Sequence, residues 1–367
     1  MTLSGTLSGD IAERRAEGPF AAQLPDLIEP VWSTGEPALD RSRFTIDATQ
    51  HRPEGQPLVP DLDLAVRMKQ TFDEVGLVHV VDTGLTDLDD MREVASLVLN
   101  REMKYAGGSN PRDALAVNVY EVGAPLTAWL HYHHEMAYIG QSTSKVAFLG
   151  HRALPDRGAT FVSDSVAATD TLLATDLGQK LAAKGVCYHR NLSDRDAFFD
   201  RLEIGVYNHW QKSFDTDDPD QAVERARARG LVTEWGPDRE LRTRYYVSAF
   251  EYFAPMDRNL LYCSVADHGM WFDAWPLVQH LPYEQRPLHL TYGDDTELTR
   301  DELRQFVELY GRFGIKLDWV VGDVVIVCNY RFAHGRPAIH LESGEQRVLG
   351  VMLGERYDRI GDRPDKW

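Results

Sequence analysis

The stretch Gly322-Asp-Val-Val-Ile-Val-Cys-Asn329, continued by Asn329-Tyr-Arg-Phe-Ala-His334, decides how this chain is read. A Gly-Asp turn feeds an unbroken run of β-branched residues, the pattern of a strand buried on both faces. The histidine comes off its far end, where a strand meets the mouth of a barrel. A second stretch, His131-Tyr-His-His-Glu-Met-Ala-Tyr138, supplies what a lone histidine lacks. His133 and Glu135 flank one residue, so an extended backbone would point both side chains to one face, with His134 turned away. Two imidazoles and one carboxylate, two of them close in sequence and the third distant, suit an Fe(II) site with open positions. The same atoms could bind Zn(II), Mn(II) or Co(II), so a metal-dependent hydrolase or isomerase competes. A small-molecule binder that only keeps the fold is the third reading.

Outward from these two stretches, β-like segments bracket a long middle. Residues 61–74 carry Leu64, Val66, Met68 and Phe72 at helical spacing, and residues 76–81 read as a buried strand. A helix is predicted over 88–99, and strands over 117–122, 146–149 and 159–163. Residues 169–184 and 220–229 look helical, and strand signals return at 319–321, 323–328 and 346–353. Strands, a partly helical middle and strands again predict a mainly β fold with helical decorations: a double-stranded β-helix (jelly roll) core whose first and last strands meet. The expected organisation is an N-terminal extension over 1–60 and a single jelly-roll domain over 61–367, with an insert at about 166–310.

Composition narrows the function. The 367 residues, 43% of them hydrophobic, can bury a large core, and the net charge of −18 opposes a nucleic-acid surface or an anionic membrane. Cys187, Cys263 and Cys328 are scattered and odd in number, which fits a reducing cytoplasm. No secretory signal or membrane span is predicted. The Gly-rich stretch 104–112 lacks phosphate-loop spacing. Trp210, Trp235 and Trp271 read as core or lid aromatics.

For a dicarboxylate co-substrate, Arg347 could clamp the far carboxylate by a charge-assisted fork, with the Thr160 hydroxyl beside it. Arg336 is a rival, because it shares strand parity with His334. Taken singly, Thr160 reads as an ordinary strand threonine and Arg347 as a surface arginine. Asn118, Tyr120, His131, Tyr138 and His268 are candidate substrate-pocket residues.

Over roughly residues 70–355 the chain resembles the TauD/TfdA family of Fe(II)/2-oxoglutarate dioxygenases, and within it the syringomycin-type amino-acid hydroxylases of natural-product pathways. The resemblance rests on the ordered series His133-His-Glu-Met-Ala-Tyr138, Gly158-Ala-Thr160, Lys184-Gly-Val-Cys-Tyr188, Trp210-Gln-Lys-Ser-Phe-Asp-Thr216, Glu234-Trp235, Leu241-Arg-Thr-Arg244, Tyr292-Gly-Asp294, Gly322-Asp323 and Ala333-His-Gly-Arg336. It implies that His133, Glu135 and His334 are iron ligands. It also implies that Thr160 and Arg347, rather than Arg336, hold the 2-oxoglutarate C5 carboxylate, and that O2 is the second co-substrate.

Three departures stand out. Cys328-Asn329 replaces the family's Asp-Asn, Gly158-Ala159 replaces Gly-Gly, and Tyr262-Cys-Ser-Val-Ala-Asp-His268 departs from an Asn- and Phe-containing pattern. Related halogenases carry Gly or Ala where Glu135 stands, so the resemblance implies hydroxylation, with desaturation, cyclisation or epoxidation as other outcomes. Similar enzymes act on free amino acids or on aminoacyl groups tethered to carrier proteins. Carrier domains are acidic and would be repelled by a chain of −18, so the expected partner is a free small molecule, an amino acid or its derivative. A carrier protein is the alternative vehicle, and self-association into a homo-oligomer is left open.

Overall fold

A computed structural model describes residues 28–35, 38–105, 112–197, 209–270 and 286–367. Trp271 and residues 106–111 of the Gly-rich stretch lie outside these. Two sheets face each other. The larger runs in the order Thr45–Asp47, Leu77–Val81, Val324–Cys328, Gln141–Arg152, Val348–Asp358, Val119–Glu121 and Ala114–Ala116, with Glu102–Met103 also paired to Val348–Asp358. The smaller runs Gly314–Leu317, Thr160–Asp164, Phe332–Arg336 and Leu130–His133. This is the jelly-roll arrangement expected from the sequence.

Val324–Cys328 is buried at every position because strands flank it on both sides and layers cover both faces. Its β-branched run fits that setting. One face packs on a core built with the helices Leu62–Val75 and Leu88–Leu99. Leu62–Val75 buries Leu64, Met68, Phe72 and Val75 along one side; Asp61 caps its start, and Gly76, at φ +80°, ends it. The opposite face of the large sheet meets the small sheet over a second apolar core containing Phe148, Phe161, Val325, Val327 and Trp319.

Between Asp164 and Gly314 lie several helices and a four-stranded sheet ordered Val232–Trp235, Leu241–Val247, Val186–Leu192 and Leu288–Tyr292. Of these helices, Arg300–Arg312 opens on a Thr299/Glu302 capping box and Val265–Met270 packs on Leu130–His133.

The structure departs from the expected elements in three places. The helical stretch 169–184 is two helices, Ser165–Leu173 and Asp176–Lys184, broken where Thr175 caps the second. The strand at 117–122 shortens to Val119–Glu121, because Asn118 takes φ +56° in a tight turn. Residues 319–321 form no strand, since Asp323 pulls them into a turn: its Oδ2 accepts from the Val320 N–H at 2.9 Å and meets His79 Nε2 at 3.1 Å. Gly322 turns there at φ +98°, where a Cβ would strike Thr83 Oγ1 at 2.6 Å.

Candidate active site

Register brings the two distant histidines together. His334 pairs directly with His133 across adjacent antiparallel strands, so their side chains leave the sheet side by side, with ring centroids 4.5 Å apart. The strands approach closely because position 335 is glycine; a Cβ there would lie 2.6 Å from the Leu130 carbonyl oxygen.

Glu135 reaches the same point by a different route. The strand ends at His133, and Glu135 sits in the turn that follows, ahead of Met136 at φ +58°. Asn329 fixes that turn: its Oδ1 accepts from the Glu135 N–H at 2.8 Å, and its Nδ2 donates to the Glu135 carbonyl at 3.0 Å and the Thr143 carbonyl at 2.8 Å. Asn329 belongs to the tail of the buried strand run, so the core holds the turn in place.

The donor atoms of His133, Glu135 and His334 all lie within 4.8 Å of one another. His334 Nε2 is 3.7 Å from Glu135 Oε2. The His133 Nδ1–H donates to the His131 carbonyl at 2.8 Å, a tautomer that leaves Nε2 with a lone pair for a metal. Burial lowers the His133 pKa, which keeps the ring neutral. Glu135 is fully buried; that burial alone would favour its acid form, but the neighbouring Arg112 charge outweighs it and holds the carboxyl well below the usual range. Two imidazoles and one carboxylate are the donor set that suits Fe(II), so the residues present fit that ion.

The same cavity is lined by Thr160, Arg336 and Arg347. Arg347 Nε donates to the Gly158 carbonyl at 3.0 Å, while its Nη2 is buried without a hydrogen-bond partner among the described residues. Burial lowers its pKa to about 10, still leaving a cation. Thr160 Oγ accepts from the Trp319 indole N–H at 3.0 Å, so its own O–H is free to donate. Arg336 is engaged otherwise: its Nη1 donates to the carbonyls of Leu126, Ala128 and Pro337, and its Nη2 to those of Ala124 and Pro125.

The five substrate-pocket candidates do not line this cavity. Asn118 donates to Glu102 at 2.9 Å, and Tyr120 packs on Tyr105. His131 accepts from the Trp129 indole, while His268 sits between Tyr138 and Tyr188. His134, as parity implied, turns away and meets Ser165 Oγ at 2.9 Å. The sequence reading missed three residues at the site. Arg112 places one nitrogen 3.0 Å from each Glu135 oxygen, Asn329 holds the Glu135 backbone, and Trp319 orients Thr160. Arg112 ends the Gly-rich stretch 104–112, and no local pattern marks an arginine whose partner lies 23 residues on.

Comparison with known proteins bears on the family of the chain. The chain is 24% identical over 310 residues to Dapdiamide synthesis protein DdaC of Enterobacter agglomerans, covering 80% of this chain and 87% of that one. It is 25% identical over 268 residues to a clavaminate synthase-like protein of Arabidopsis thaliana, covering 72% and 78%. Among solved structures, a taurine dioxygenase from Burkholderia xenovorans superposes with a TM-score of 0.49 at 13% identity, covering 88% of this chain and 89% of that one. Residues 55–353 match the model of the taurine catabolism dioxygenase TauD, TfdA family. The chain belongs to that family and is an Fe(II)/2-oxoglutarate-dependent dioxygenase, with O2 as its other co-substrate.

Proposed function

We propose that His133, Glu135 and His334 hold the iron, that Thr160 and Arg347 receive the C5 carboxylate of 2-oxoglutarate, and that the enzyme hydroxylates an unactivated C–H bond of an amino acid or amino-acid derivative, releasing succinate and CO2. One observation carries the reading: a buried arginine with an unused Nη2 shares a cavity with three converging metal donors. When bound, the metal and co-substrate supply the oxidising chemistry. The chain's own residues place and shield it. Arg347 and Thr160 orient the co-substrate from one side, Glu135 completes the triad and fills the position that chloride would need, and Phe148, Leu349 and Val351 form an apolar wall to the cavity. Support for the amino-acid class comes from the resemblance to syringomycin-type hydroxylases and from a relative whose name places it in dapdiamide synthesis.

Adding Fe(II) and 2-oxoglutarate without O2 should produce a weak visible charge-transfer band. That band should vanish in Glu135→Ala and His334→Ala, and its survival in both would sink the triad. A succinate-release screen over free amino acids, peptides and carrier-tethered aminoacyl groups then identifies the substrate. Product masses separate hydroxylation from desaturation, cyclisation or epoxidation.

A further inference from the structure

Arg112 has more hydrogen-bonding capacity than the triad uses. Its Nη2 lies 3.0 Å from both oxygens of Glu135. Its Nε and Nη1 are buried and find no acceptor among the described residues. A guanidinium carries five N–H donors, so three are left over. Burying charged donors without acceptors is costly, and protein interiors rarely tolerate it away from a ligand site. The side chain, 11% exposed, lines the same cavity as His133, His334, Thr160 and Arg347. Its plane is fixed by Tyr105, whose ring centre lies 4.4 Å below the guanidinium carbon, and Tyr105 is backed in turn by Tyr120. Tyr120 thus bears on the cavity at second hand.

Arg347, proposed above for the co-substrate, is a different cation of this cavity, and Arg336 spends both of its Nη groups on backbone carbonyls. The remaining donors beside the metal triad therefore suit a second anion, distinct from 2-oxoglutarate. We propose that Arg112 binds the free carboxylate of the substrate, which makes the substrate a free acid, of the α-amino-acid type, rather than a carrier-bound thioester whose carboxyl is consumed in the linkage. This rests on the function proposed above and narrows its substrate class. A carboxylate is the chemistry a planar cation with leftover donors selects; a neutral amide or thioester offers one uncharged carbonyl oxygen in place of two charged ones.

The test uses the full-length enzyme loaded anaerobically with Fe(II) and 2-oxoglutarate. The twenty common L-amino acids, their amides and their pantetheine thioesters are each titrated against the charge-transfer band. The result expected is that at least one acid perturbs the band, with its amide and thioester at least tenfold weaker. Titrated in the fraction that still forms the band, Arg112→Gln should lose that acid preference, and Arg112→Lys, which keeps a charge beside Glu135, should restore part of it. Amides or thioesters that act as strongly as acids, no response to any acid, or an acid preference intact in Arg112→Gln would each overturn the assignment. A wild-type enzyme with no band at all would instead sink the metal and co-substrate reading, so the two failures are distinguishable.

Discussion

Arg336 and Arg347 line one cavity, are both buried, and differ in what their guanidinium groups do. Arg336 donates to five carbonyls, four of them in the segment 124–128, and so pins that segment against the strand that bears His334. Its pKa is lowered to about 9, first by burial and then by Arg347 nearby. Arg347 donates from Nε to the Gly158 carbonyl and keeps Nη2 without a partner among the described residues. Gly158 holds φ +99°, and a Cβ there would press on Arg347 Nε at 3.3 Å. The two differ at the tip of the guanidinium: a buried arginine with both Nη groups on backbone carbonyls is structure, and one with an Nη to spare awaits an anion.

The sharpest break with either arginine is removal of the triad carboxylate. Glu135→Ala should reduce succinate formation to background and weaken iron binding, read by calorimetry under anaerobic conditions. For Arg336→Ala the expected loss is in folding: about 3 kcal/mol, the size of disrupting a buried hydrogen-bonded network. Chemical denaturation measures it, and KM for 2-oxoglutarate should scarcely move in the folded fraction. Arg347→Ala should do the reverse. Losing a charge-assisted pair costs about 1.5–3 kcal/mol of ligand binding, roughly a 10- to 150-fold rise in KM for 2-oxoglutarate, with little change in the denaturation midpoint. If the two variants exchange phenotypes, the assignment of clamp and scaffold is inverted.

Parity and resemblance made the metal triad legible, yet the physical route differed for one member. His133 and His334 are placed by strand pairing, which alternation in sequence does encode. Glu135 is not placed by strand parity at all. It sits in a turn held by Asn329, 194 residues away, and such a side-chain-to-backbone bond leaves no periodic trace. The strands expected at 76–81 and 323–328 and the helix at 88–99 are legible because their burial pattern is local. Arg336 and Arg347 could not be separated by spacing, since what distinguishes them is the set of carbonyls each one meets. The same holds for the substrate candidates: His131, Tyr138 and His268 are buried polar or aromatic groups, and only their neighbours show that they stand outside the cavity.

His268 extends the contrast to titration. Burial lowers the pKa of His268, His131 and His134 to about 3 from an ordinary 6.5. A depressed folded pKa means the unfolded chain binds more protons between those values, so stability is full above about pH 6.5 and falls as pH drops toward 3. Each such ring contributes up to about 1.4 kcal/mol per pH unit across that window. His268→Gln should flatten the slope of unfolding free energy against pH by about that amount. Turnover at pH 7.5 should hold if the ring is structural, and a lost turnover with unchanged slope would instead put His268 in contact with substrate.

The smallest expected effect tests whether Thr160 is aimed or merely present. The Trp319 indole N–H donates to Thr160 Oγ at 3.0 Å, and Trp319 is buried against Phe148 in the core between the sheets. With one lone pair occupied by that donor, the hydroxyl proton is directed into the cavity beside Arg347. Trp319→Phe keeps most of the ring and deletes the donor. Freed of it, the hydroxyl can rotate, and the loss should be that of one oriented neutral hydrogen bond, about 1 kcal/mol or roughly fivefold in KM for 2-oxoglutarate. Adding Thr160→Val to this variant should then cost less than Thr160→Val costs alone, because the two changes remove one shared interaction. Strictly additive KM effects would mean that Thr160 reaches the co-substrate without help from Trp319.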